Sequence, residues 1–223
     1  ARLAALEKAV AMEHECDVDK QAASYKTLNE ARVLLRRFKS AVGQFQYCYT
    51  AQAEANRQYQ SHLKTARLYI SHFIQVLNLA VLRNEVRKEH KLFYGLDPED
   101  FAVPELTGEK HILVWGERLI EGERERVSHG GAPIYNPTIA KVTVHYDIFK
   151  EAYREQQNYK LNTTRSQSGL DALREEADRI ILDLWNQVET YYADLPAEIR
   201  LNRCRAYGVV YYYRSGEKRP EDD

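Results

Sequence analysis

QSHLKTARLYISHFIQVLNLAVL, residues 60–82, decides the fold class. Leu63, Ala66, Ile70, Phe73, Leu77 and Ala80 recur in it at alternating spacings of three and four. An α-helix turns once every 3.6 residues, so these six side chains form one apolar stripe. Its most apolar run, Ile74 to Leu82, is interrupted by Gln75 and Asn78. It falls well short of the roughly 20 consecutive apolar residues that a membrane-spanning helix needs.

The same rhythm appears three more times. Leu28, Ala31, Leu35, Phe38, Val42 and Phe45 form one stripe, and Ile139, Val142, Tyr146, Phe149 and Tyr153 a second. Leu170, Leu173, Ala177, Ile180, Leu184, Val188, Tyr191 and Leu195 form a third. Near-heptad stripes favour shallow helix crossings of about 20°, the geometry of a left-handed bundle. The expected fold is all-α: an antiparallel bundle of four long helices.

The helix breakers place the boundaries. Residues 1–94 hold one Gly, Gly43, and no Pro, whereas residues 95–137 hold six Gly and four Pro. Residues 138–195 hold only Gly169. This predicts two helical pairs separated by an irregular insertion over 95–135. The first pair is expected to turn near Glu54–Gln58, with a single helix kinked at Gly43 as the competing reading. Its second helix is expected to run from about 60 to 93. Within the insertion, Ile112, Trp115 and Leu119 predict a helix from Glu109 to Val127, weakened by Gly116 and Gly122. Asn136-Pro137 reads as an N-cap followed by Pro at the first helical position. Ser168-Gly169 reads as the join of the third and fourth helices, and Asp194-Leu195-Pro196 as the end of the fourth. A short helix from Ala197 to Tyr207 should stop at Gly208 in a left-handed cap. Val209-Val210-Tyr211-Tyr212-Tyr213 reads as one β-strand, which needs a partner. Ala132–Tyr135 or another chain could supply it. The expected organisation is a bundle over 1–195, including the insertion, and a helix-strand appendage over 196–223.

Composition excludes several classes. The 223 residues carry a formal net charge of −1, with 44% hydrophobic residues. Such a chain can bury a core and is not a polybasic nucleic-acid binder. Gly and Pro are scarce, at about 7% against an average nearer 12%. Cys16, Cys48 and Cys204 are odd in number and widely spaced, so they make no disulfide framework. Ala1 to Lys8 contain no signal-peptide apolar core. These features lead to an expectation of a cytoplasmic protein, with processing ahead of Ala1 left open because the chain does not begin with Met.

Four segments carry a resemblance: Tyr69 to Asn78, Trp115 to Arg118, Asn136 to Ala140, and Tyr207 to Tyr211. They resemble an uncharacterised group of bacterial helical-bundle proteins, best represented among Bacteroidetes-like bacteria, over about residues 60 to 214. That group has no established activity, so the resemblance implies a helical bundle and transfers no site residue.

Catalytic and metal signatures are sparse. Carboxylate-bridged di-iron bundles need Glu-x-x-His, because that spacing aims both ligands inward. The residues three before the seven histidines are Ala11, Tyr59, Tyr69, Arg87, Gly108, Arg126 and Val142, none of them a carboxylate. No His-x-x-x-His, Gly-rich phosphate loop or nucleophile-elbow motif occurs. No metal or cofactor is therefore expected. The acidic stretch Glu13 to Asp19 could at most share a divalent ion between His14 and Asp17, and reads better as a solvated face. Lys26, Arg32, Arg36, Arg37 and Lys39 form a basic stretch that could touch phosphate or an acidic partner, but a solvated face or salt bridges between helices explain it more simply. Nucleic acid is accordingly not the expected partner.

Two groups of residues remain. His72, Asn78 and His145 are polar groups on helical faces that could line a ligand pocket. Tyr207, Val209, Val210, Tyr211, Tyr212 and Tyr213 concentrate aromatic surface at the C-terminal end, and Tyr suits interfaces through its apolar body and polar tip. The expected function is a non-enzymatic structural or protein-interaction bundle that self-associates or docks another protein. The alternative is a bundle that binds a small molecule or metal, with the question of an enzymatic reaction left open.

Overall fold

The computed structural model describes residues 1–15 and 21–212. It contains α1 (Arg2–Glu15), α2 (Tyr25–Leu82), a 3-10 helix η1 (Lys88–Tyr94), α3 (Glu109–Ser128), α4 (Ile139–Tyr191) and α5 (Ala197–Ala206). No strand occurs among the described residues, so the all-α expectation holds. The chain divides into two compact units, Ala1–Tyr49 with Asn162–Asp223, and Thr50–Leu161.

Two expected turns are absent. α2 runs unbroken through Glu54–Gln58, and α4 through Ser168–Gly169. The four long helices of the sequence reading are therefore two, each contributing a segment to both units. Glu54–Gln58 contains no breaker, and one Gly in a helix costs only about 1 kcal/mol, which packing on either side overrides.

In the first unit, Ser24 starts α2 as a serine N-cap. Its Oγ accepts the Thr27 N–H at 3.2 Å, and its own N–H donates to Gln187 Oε1 at 2.7 Å. α2 and α4 run antiparallel here. Thr27 bonds Asp183, Arg37 bonds Glu176, and Thr163 Oγ1 donates to the Cys48 carbonyl. Leu6, Leu28, Leu34, Leu184, Val188 and Tyr207 are almost fully buried in its core. Tyr191 and Leu195, the last two positions of the fourth stripe, are exposed: Tyr192 packs on the core in place of Tyr191, and Leu195 lies past the end of α4.

α5 ends as expected. Gly208 has φ +86, its N–H bonds the Arg205 carbonyl, and the Val209 N–H bonds the Cys204 carbonyl. That pair of bonds is a Schellman motif, and its apolar contact comes from buried Val209 and Cys204. The expected strand over 209–213 does not form in residues 209–212, and Tyr213 lies outside the described residues. The backbone proposed to pair with it is occupied within the second unit. The Ala132 carbonyl accepts from Arg126, and the Ile134 N–H donates to Glu123.

In the second unit, Leu63, Ala66, Ile70, Phe73, Leu77 and Ala80 are all buried. Tyr59 packs on Phe149 and Tyr153, and Tyr69 on His145, so α2 and α4 are antiparallel here too. α2 stops at Leu82 rather than near 93. Asn84 takes a left-handed conformation, φ 60, while its N–H bonds Val81 O and the Glu85 N–H bonds Ala80 O. Asn is the commonest substitute for Gly at that capping position. α3 matches its predicted span to within a residue. α4 begins at Ile139, with Thr138 rather than Asn136 at its N-cap: the Thr138 carbonyl accepts the Lys141 and Val142 N–H groups. Pro137 precedes the helix in a cis peptide bond with Asn136.

Candidate interaction surface

The C-terminal residues split by environment. Tyr207 is fully buried, and its hydroxyl accepts the Ala22 N–H at 3.3 Å. Val209 is buried in the same core. Tyr211 packs against that core half-buried. Burial, then hydrogen bonding beside Cys204 and Glu189, pushes its phenol well above the usual range. These three residues are core or its margin rather than free surface. Val210 and Tyr212 alternate outward, 49% and 88% exposed.

Val210 and Tyr212 border a groove of about 520 Å³ whose apolar wall is Ala5 of α1 with Ile181, Leu182 and Trp185 of α4. α1 approaches the chain after α5 closely beside this groove. A Cβ on Gly208 would lie 2.9 Å from Ala5 Cα, so only glycine lets that chain pass. The Trp185 indole N–H is buried and has no hydrogen-bond partner. Arg2 and Asp178 stand at the rim and pair with each other, at 2.6 and 2.7 Å. The Arg2 guanidinium holds the Asp178 carboxyl below its usual range. Arg2 and Asp178 therefore offset one another, and the wall between them and Tyr212 is apolar.

The pocket candidates of the second unit meet three different surroundings. Asn78 is buried, and its Nδ2 donates to the Phe101 carbonyl at 3.0 Å. His145 stacks on Tyr69 with ring centroids 4.1 Å apart, and His72 is exposed. Asn78 thus anchors the loop after η1. Lys91 assists it, donating to the Asp100 carbonyl at 2.5 Å beneath the Phe101 ring. Burial lowers the Lys91 pKa, partly offset by nearby Asp100.

The most concentrated polar chemistry is a buried cluster that periodicity did not reveal. Tyr94, Glu123 and Arg126 are each at most 1% exposed. Arg126 Nε donates to the Tyr94 hydroxyl at 2.7 Å, and Nη2 donates to Glu123 and to the Ala132 carbonyl. Tyr94 and the Ile134 N–H both donate to the Glu123 carboxylate. Burial, then the bond to Glu123, drives the Tyr94 phenol far above its ordinary pKa. Every member has partners within the cluster, so it ties η1, α3 and residues 132–134 together rather than presenting chemistry to a ligand.

In the basic stretch, Arg37 pairs with Glu176 at 3.1 Å and Lys39 with Glu7 at 2.7 Å. The acidic stretch up to Asp19 lies outside the described residues, apart from the backbone at the end of α1. Among the described residues no group of three His, Cys, Asp or Glu side chains could hold a metal ion. No helix among them is long and apolar enough to cross a membrane. No known protein family, curated protein or solved structure matches this chain.

Proposed function

We propose that the chain is a non-enzymatic helical interaction protein that self-associates, with the groove bordered by Val210 and Tyr212 as its docking surface and a second copy as its occupant. One juxtaposition carries this reading. An apolar groove and a projecting aromatic, Tyr212 at 88% exposure, lie on the same patch of one unit. A two-fold dimer uses the same patch twice, so Tyr212 of each copy can enter the groove of the other. The Arg2–Asp178 pair leaves the apolar wall of Ala5, Ile181, Leu182 and Trp185 to an uncharged occupant, which an aromatic side chain such as Tyr212 matches.

The test is molar mass by light scattering across a concentration series, on the native chain and on Leu182→Glu and Tyr212→Ser. Both positions are exposed, so each variant should keep its stability to within about 0.5 kcal/mol. A dimer in the native chain that becomes a monomer in both variants is expected. A native chain that stays monomeric at high concentration, or a dimer that neither variant weakens, overturns the reading. Deletion of residues 209–214 is a poor test, because it removes Val209 from the core.

A further inference from the structure

We infer that a second groove in the first unit, between α2 and α4, binds a small organic anion with a phosphate or carboxylate head. This groove is the larger of the two, at about 790 Å³, and is open along the surface. Arg36, Arg37, Ser40 and Gln44 face it from α2, and Ser166, Gly169 and Glu176 from α4. Its charges do not cancel. Arg37 spends its charge on Glu176, bonding both carboxylate oxygens at 3.1 Å. Arg36 has no ion pair among the described residues, so the groove keeps one unmatched guanidinium, the side chain best shaped for an oxyanion.

The neutral groups point to the same ligand. Arg36 and Ser40 lie four residues apart, which aligns two donors along one helical face, while Gln44 Nε2 is already bonded to Cys48 Sγ at 3.6 Å. Across the groove stand Ser166 and the Arg37-paired Glu176 of α4. Between these polar ends the lining is Ala41, Ala172 and Leu173, which suits an apolar body. Gly169 leaves the groove open, since a Cβ there would meet nothing within 4 Å. The site therefore fits a ligand with an anionic head at Arg36 and Ser40 and a short apolar body. It does not depend on self-association, because none of these residues borders the Tyr212 groove.

The experiment is calorimetric titration of the full chain with phenyl phosphate at fixed ionic strength, with inorganic phosphate and benzoate as parallel probes. Saturable binding of phenyl phosphate is expected, tighter than inorganic phosphate because the ring fills the apolar middle. Benzoate binding of comparable strength supports the same site with a carboxylate head. Arg36→Gln should weaken binding at least tenfold. Gly169→Leu should abolish it by filling the groove from a position with free space, its fold checked by unchanged helical circular dichroism. Absence of saturable binding by phenyl phosphate and benzoate overturns the proposal. So does binding that survives both substitutions.

Discussion

Arg126 Nε donates to the Tyr94 hydroxyl at 2.7 Å, and neither side chain reaches solvent. The bond joins η1 to α3, and the shared partner Glu123 extends it to residues 132–134. Breaking a buried ion pair on one side leaves an uncompensated charge, which costs about 3–5 kcal/mol. Arg126→Met should therefore consume much of the marginal stability of the fold. Tyr94→Phe removes one hydroxyl and leaves the ion pair, so its loss should be smaller, about 1–3 kcal/mol. Urea unfolding of both variants checks the order. Equal losses would show that the hydroxyl and the guanidinium act as one unit.

Alkaline pH should destabilise the chain through its buried phenols. Burial raises Tyr59 to about 12 and moves Tyr94, Tyr146 and Tyr211 upward from the ordinary value of 10.0. A raised folded pKa means that the native state holds its proton while the unfolded chain has lost it. The stabilisation is then complete below pH 10 and is lost progressively as pH rises above it. Of the sixteen tyrosines, these four should ionise late, and only with unfolding. Ultraviolet titration followed alongside circular dichroism tests this. Smooth ionisation of all sixteen near pH 10 in a still-folded chain would contradict it.

The sequence made the stripes legible because packing against a core needs only the right period. The stripe of six residues from Leu63 to Ala80 is buried as read, α3 lies where Ile112, Trp115 and Leu119 put it, and α5 stops before Gly208. The length of the helices was legible only in part: α2 is continuous, as the competing reading had it, but nothing in the sequence marked α4 as continuous. Gly169 has the residue type of a terminator, but its environment decides whether it terminates, and α4 continues through it. The candidate surface was half legible for a related reason. Composition placed tyrosines at the C-terminal end, but only the path after Gly208 turns Tyr207 and Val209 inward and Val210 and Tyr212 outward. The Tyr94–Glu123–Arg126 cluster was invisible, because Glu123 and Arg126 look like any charged pair three residues apart on a helix.

The glycines of the long helices should respond in opposite directions. Gly43 and Gly169 lie within α2 and α4, where an added Cβ meets nothing within 4 Å. Ala at either should stabilise the chain by about 0.5–1 kcal/mol, from lower backbone entropy in the unfolded state. Gly116 and Gly122 lie in α3, with the same cost to helix propensity, but their space is taken. A Cβ on Gly116 would stand 2.2 Å from the Tyr146 ring, and one on Gly122 would stand 2.6 Å from the Phe93 carbonyl oxygen. These two weaken the isolated helix and permit its docking. Ala at either must push η1 or α4 away, a loss of about 1–3 kcal/mol typical of overpacking. Thermal unfolding of the four single variants should give two increases and two decreases in Tm. A gain at Gly122 would mean that α3 does not depend on this close approach to η1.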